Sequence, residues 1–314
     1  MPNNSMDVRA KQRLCYRVVL FPFTCVSAVS AHVISIVRFL RLPKIQMKPI
    51  SKTAFYTCGV RMQDSMRDNP VCGDIYAKYF MNEDGRRILE AFEDETSPNA
   101  TIVVRHRIID DFLRRELFAN PTLCVVIIGA GFDSRAFRLN SGNWMELDEP
   151  QIIEYKNEVL PVADCENELR RIPIDFSTDS LAGKLSSFSD YSPVVVVIEG
   201  VFTYLEENTI KQMLQILRHV FPQHKLIGDL MNRQFFEEYG RTMQEKLTGM
   251  GASFKFTVDE PENIFLENGY RRIEKTSIVE KTVELGLLQI PKVALETVLS
   301  TLSSGNAIYV FEID

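Results

Sequence analysis

Apolar positions along the chain fall into a repeated pairing of short unbroken runs and longer helical stripes. TIVVRHRIIDDFLRREL (101–117) spaces Ile102, Ile109, Phe112 and Leu113 as the buried stripe of an amphipathic helix. Positions 123–128 then form a continuous apolar run between Pro121 and Gly129, which predicts a strand. WMELD (144–148) reads as a second strand, and PQIIEYKNEVL (150–160) as a helix opened by proline in its first turn. LRRIPID (169–175) is a third strand. PVVVVIEG (193–200) is the β-branched run expected of a central strand covered on both faces. NTIKQMLQILRHVF (208–221) follows as an amphipathic helix with Asn208 as its cap, and HKLIGDL (224–230) as a fifth strand. A polar helical stretch covers 233–248, with a glycine-containing loop at 249–251. YRRIEKTSI (270–278) and NAIYVFEI (306–313) are strand-like, with PKVALETVLSTL (291–302) a helix between them.

Five strand–helix alternations closed by an antiparallel-looking pair predict an α/β doubly wound sheet, mostly parallel with an antiparallel end strand. Residues 49–120 and 233–262 stand outside the alternation and are expected to build a helical cap within a domain of 49–314. Ligands of such sheets bind at the carboxyl ends of the strands.

Charge divides the chain in two. Residues 1–48 carry +7 and the remainder −13. So acidic a body argues against a nucleic-acid partner, which needs a basic face. Within the basic head, residues 18–37 contain no formal charge over twenty positions, about the length that crosses a bilayer's hydrocarbon core. This segment is a candidate membrane anchor or surface contact; Pro22, His32 and its hydroxyl residues equally suit a packed soluble helix. Met47 is a candidate start of the functional chain. The six cysteines form no CxxC pair, and with the four scattered histidines they give no metal-ligand spacing, so reduced thiols in a cytoplasmic protein and no metal are expected.

The candidate chemistry begins where the first strand ends. Gly129 and Gly131 allow a sharp turn and a close approach of backbone to ligand. A dinucleotide fingerprint needs a third glycine where Ser134 stands, and a phosphate loop needs a Gly-Lys-Ser/Thr that is absent. Asp148 closes the second strand, placed to accept ribose hydroxyls or to cap the following helix. Asp175 closes the third and Glu199 the fourth. Three carboxylates at three strand ends repel a pyrophosphate and suit a ligand with hydroxyls, an amine and a positive charge. S-adenosylmethionine is such a ligand. Its carboxylate needs a cation, for which Arg105 or Arg107 is available, although Arg107 can instead pair with Asp111 one helical turn on.

VVIIGAGFDSRAFRL, ELDEPQIIEYK and VIEGVFTYL, in this order and spacing, resemble the leucine carboxyl methyltransferase family, which includes protein-phosphatase methyltransferases and tetracenomycin-type polyketide O-methyltransferases. The resemblance runs over about residues 50–314 and is most specific across 100–205. It implies a class I methyltransferase fold using S-adenosylmethionine. It places Arg105 on the methionine carboxylate, Gly129 and Gly131 against the cofactor and Asp148 on the ribose. Asp175 and Phe176 would hold the adenine, and Glu199 would lie beside the methionine portion. A lysine near the family's beginning also touches the cofactor, for which Lys52 is the nearest match. The family's Asn before LGAG is Ile127 here, and its DPY is DIY at 74–76.

Asp133 and Arg138 are read as a local ion pair fixing the loop, and Tyr204 as either a sulfonium contact or a core side chain. No His–Asp pair is legible near the motifs, although His106 adjoins Arg105. The expected activity is O-methylation of a carboxylate or hydroxyl of a small, polyketide-like molecule. A protein C-terminal leucine carboxylate is the alternative acceptor. A nicotinamide oxidoreductase, or a nucleoside-binding module without chemistry, is the rival class.

Overall fold

A computed structural model of the chain describes residues 48, 50–297 and 299–314. The 18–37 segment and Met47 lie outside the described residues. Among the described residues no helix is long and apolar enough to cross a membrane.

The main helices and strands, in chain order, are α1 (Thr53–Ser65), α2 (Thr96–Ala119), β1 (Cys124–Ile128), β2 (Asn143–Asp148), α3 (Pro150–Val159), β3 (Glu168–Pro173), β4 (Val194–Ile198), α4 (Glu207–Val220), β5 (His224–Met231), α5 (Arg241–Gly249), β6 (Tyr270–Ser277), α6 (Ile278–Glu284) and β7 (Asn306–Ile313). The strands form one sheet in the order β3-β2-β1-β4-β5-β7-β6. β1 to β5 are mutually parallel, and β7 runs antiparallel to both its neighbours. The antiparallel strand is therefore one place in from the edge.

Alternation along the central strands explains why both faces are covered. Val194, Val196 and Ile198 point into an apolar layer shared with Ile210, Leu214 and Leu217 of α4. Val195 and Val197 point the other way, onto Ile109, Phe112 and Leu113 of α2 and Ile278 of α6. The first turns of α2 belong elsewhere: Ile102 and Val103 pack with Phe55 and Tyr56 of α1 and with Leu247 of α5, a separate apolar cluster above the strand ends. Thus α2 spans from this cluster down to the sheet.

Four local expectations are corrected or refined. The N-cap of α4 is Glu206, which makes no side-chain cap bond, so Asn208 lies inside the first turn. The 291–302 helix is two short ones, Lys292–Glu296 and Ser300–Ser304, because Thr297 leaves the helical region at φ −121°, ψ −93°. After β6 the chain turns at once into α6, whose start is fixed by the Ser277 hydroxyl accepting the Glu280 N–H. The 233–248 stretch is helical but not uniform: Phe236–Gly240 forms a π-turn between Arg233–Phe235 and α5. Such turns bulge the helix wall, and this one carries Tyr239 and Gly240 to the rim of the cavity described next.

Candidate active site

The carboxyl ends of β1, β2, β4 and β5 open into a cavity of about 620 Å³. Gly129 lies there at φ +71°, and Gly131 at φ +47°. A Cβ on Gly129 would stand 2.5 Å from Val201 Cγ2, and one on Gly131 3.4 Å from the Ala54 Cβ. Position 129 thus combines left-handed backbone with no room for a side chain. Gly129→Ala is expected to cost roughly 2–4 kcal/mol of stability, from φ strain plus displacement of Val201; denaturant unfolding measures it, and a loss below about 0.5 kcal/mol would contradict the packing argument.

Asp148 ends β2 and lines the same cavity. Its Oδ2 accepts the Gly131 N–H and its Oδ1 the Glu149 N–H, both at 2.6 Å. Each oxygen keeps a second lone pair for a ligand hydroxyl. Burial pushes its carboxyl up to about 6, although the two backbone N–H bonds oppose the shift. An acid raised in this way is neutral below that pH and anionic above it. Hydroxyls donate best to the anion, so the affinity of a ligand whose hydroxyls Asp148 accepts is expected to be full above pH 6. It should fall about tenfold per unit below. Calorimetric titrations from pH 5 to 8 test this, and an Asp148→Asn variant should show no such limb.

Beneath the glycine loop lies a buried charged network. Arg135, fully buried, pairs with Asp110 (2.7 Å), Glu199 (2.8 Å) and Asp133. Arg138 pairs with Asp110 at 2.7 Å. Arg61 binds Asp74 (2.9 Å) and the Phe132 carbonyl (2.8 Å), tying α1 to the loop. Asp133 and Arg138 are therefore not paired with each other: Asp133 accepts the Arg135 N–H at 2.7 Å and closes on that side chain. The short helix Arg135–Arg138 points the two arginines to different carboxylates.

His106 is enclosed in this network. Its Nε2 lies 2.7 Å from Arg138 Nη2, and its Nδ1 lies 2.7 Å from Arg135 Nη2 and 3.1 Å from Glu199 Oε2. Burial first, and Arg135 next, lower its pKa and keep it neutral. With both nitrogens engaged it is no free base. His106, Asp133 and Glu199 offer atoms within 4.8 Å of one another, but the Arg135 guanidinium already supplies the cation among them.

Of the residues singled out in the sequence, Arg105, Gly129, Gly131, Asp148, Phe176, Glu199 and Tyr204 all line the cavity. Glu199 is held well below the usual carboxylate range: burial alone would raise it, but Arg135, His106 and Arg105 outweigh that. Burial raises the Tyr204 hydroxyl to about 12, with Arg105 opposing, so it stays protonated at neutral pH. Asp175 is not brought to the lining. It lies two residues beyond β3, half-buried, where its carboxylate accepts from Ser177 and pairs with Lys48 at 3.1 Å. Lys48 also reaches Glu149 at 2.7 Å, whereas Lys52 is exposed and outside the lining. Arg107 is paired with Asp111 at 2.8 Å and is not in the lining, which holds Arg105 and Arg61.

Asp229 was missed. It stands near the end of β5, lines the cavity, and pairs with Arg105 at 3.1 Å. The signal was present: the acid in HKLIGDL repeats, on a fourth strand, the pattern of the other three. The far half of the cavity is apolar, lined by Met231, Phe235, Met243, Phe254, Ile290 and Leu302. Among the described residues it offers no carboxylate, lysine or histidine of its own.

Residues 54–218 match the family model described as leucine carboxyl methyltransferase, more than half of the chain. The chain belongs to the leucine carboxyl methyltransferase family. Among curated relatives, it is 27% identical over 271 residues to the tetracenomycin polyketide synthesis O-methyltransferase TcmP of Streptomyces glaucescens, covering 79% of this chain and 94% of that protein. It is 34% identical over 169 residues to a Mycobacterium ulcerans protein named "Putative S-adenosyl-L-methionine-dependent methyltransferase", covering 50% of this chain and 55% of the relative. Among solved structures, a duf574 family protein from Streptomyces avermitilis superposes with a TM-score of 0.50 at 10% identity, over 84% of this chain and all of that one. Membership makes the protein an S-adenosylmethionine-dependent methyltransferase, on the class I fold that the strand order describes.

Proposed function

We propose that the protein O-methylates a carboxylate or hydroxyl of a small, largely apolar, polyketide-like acceptor. The division of the cavity carries this reading: charged and glycine-lined at the strand ends, apolar beyond Met231. In the proposed arrangement Gly129 and Gly131 lie against the cofactor, Asp148 takes the ribose hydroxyls, and Phe176 packs on the adenine. Arg105 and Glu199 meet the amino-acid end. Asp175 would act from outside the lining, by holding Lys48 beside Glu149. The segments 49–120 and 233–262 would act as the cap.

S-adenosylmethionine supplies a methyl group already activated by its sulfonium. The side chains then have to align the acceptor oxygen and exclude water. A carboxylate is anionic at neutral pH and needs no base, whereas an aliphatic hydroxyl does. With His106 engaged and the apolar half free of titratable bases, the lining favours a carboxylate or an acidic phenol. The likeness to TcmP, a polyketide O-methyltransferase by name, supports a small acceptor. The family's own name supports the second reading, a protein C-terminal leucine carboxylate. The buried or half-buried free thiols Cys58, Cys72, Cys124 and Cys165 support a reducing, cytoplasmic setting.

Transfer of tritiated methyl from S-adenosylmethionine into a metabolite extract, beside a panel of peptides ending in leucine, tests the proposal. Label is expected in apolar small molecules and absent when Asp148 is replaced by alanine; label only in the peptides would select the second reading. With the acceptor in hand, the rate should be flat from about pH 6 to 9, and a basic limb near neutrality would contradict the base-free account.

A further inference from the structure

The charges around Arg105 do not balance as a simple carboxylate receptor would. Its Nε donates to Glu199 Oε1 and its Nη1 to Asp229 Oδ2, each at 3.1 Å. Its Nη2 has no protein acceptor among the described residues, and the side chain lines the cavity. Two carboxylates thus hold Nε and Nη1, and Nη2 between them is left to donate to a ligand. Nη2 lies 3.0 Å from where a Cβ of residue 200 would stand, and Gly200 is glycine at φ +67°.

Glu199 is already shared, since its other oxygen takes Arg135 and His106. Asp229 has a lighter load. Its Oδ1 accepts the Gly200 N–H at 2.6 Å and its Oδ2 faces Arg105 alone. Over the buried network, the guanidiniums of Arg61, Arg105, Arg135 and Arg138 meet the carboxylates of Asp74, Asp110, Asp133, Glu199 and Asp229. Carboxylates are one in excess. Arg114 touches the rim at 3.5 Å but is half exposed and closer to Asp111. Of the five carboxylates, Asp133, Glu199 and Asp229 line the cavity, and Asp229 pairs there with Arg105 alone. Asp229 oxygens with one lone pair each to spare, beside the Arg105 Nη2 donor, match the ammonium and carboxylate of a zwitterion.

We propose that Asp229 is the positioning residue for the amino-acid end of the cofactor: it sets the Arg105 guanidinium toward the ligand's carboxylate and receives the ligand's ammonium itself. This rests on the placement of the cofactor proposed above, with its ribose at Asp148. It assigns to β5 a binding role beside those of β1, β2 and β4.

The test compares S-adenosylhomocysteine, its analogue lacking the amino group, and 5′-methylthioadenosine, which has no amino-acid end, by titration calorimetry of the full chain. Asp229→Asn keeps an acceptor for the Gly200 N–H but removes the charge. It is expected to weaken S-adenosylhomocysteine about 10- to 100-fold and leave 5′-methylthioadenosine within about twofold. The deamino analogue should bind the unaltered protein about as poorly as S-adenosylhomocysteine binds the variant, and lose little further on substitution. Parallel loss of all three ligands in Asp229→Asn would reduce Asp229 to a structural part. A deamino analogue bound as tightly as S-adenosylhomocysteine by the unaltered protein would overturn the proposal without any variant. The ribose placement fails separately, if 5′-methylthioadenosine still binds Asp148→Asn at full strength.

Discussion

Asp148→Ala is expected to weaken S-adenosylmethionine binding by roughly 10²- to 10⁴-fold, because two hydroxyl-to-carboxylate hydrogen bonds are lost together. The substitution should leave the fold intact. Asp148 makes no ion pair in the network, and burial acts against its charged form. What the free protein loses is two acceptors for the Gly131 and Glu149 N–H groups, which water in the cavity can replace. Calorimetry gives the affinity and a thermal melt the control. An unchanged melt with binding gone is the predicted pair of results; unchanged binding would remove the ribose from β2.

Arg135→Leu should do the opposite and strike the fold first. The guanidinium is fully buried and closes on Asp110, Asp133 and Glu199 at once. Removing it strands carboxylates that were buried only because they were paired, at a cost of about 3–5 kcal/mol or more. In a domain of this size that is a fall of roughly 10 °C in Tm. Arg135→Lys, which restores a charge but not the fork, should recover part of the loss. Thermal and denaturant unfolding check both, and a leucine variant as stable as the parent would mean that the network is not needed to hold the glycine loop.

The sheet was legible because its strands are short apolar runs with clear punctuation: β1 ends at Gly129 and α3 opens at Pro150. Most of the residues that line the cavity's strand-end side were legible for a related reason, since strand ends and a glycine turn mark a ligand position whatever the ligand is. Less legible were features that depend on which side chain meets which in space. Arg135 was not singled out, because its partner Asp110 lies 25 residues earlier, on α2. The guessed Asp133–Arg138 pair failed for that reason: sequence proximity stood in for direction. Asp175 was expected to close its strand, but β3 ends at Pro173 and the chain turns so that Ser177 and Lys48, not the cavity, take the carboxylate. The break at Thr297 is a backbone event that the apolar pattern of 291–302 does not record.

The most direct measurement is a crystal structure of the protein with S-adenosylhomocysteine. The account predicts the ribose hydroxyls within hydrogen-bond reach of Asp148, the adenine beside Phe176, and the amino-acid end between Arg105 and Asp229. A coenzyme found away from these strand ends, or one whose ribose leaves Asp148 untouched, would contradict it.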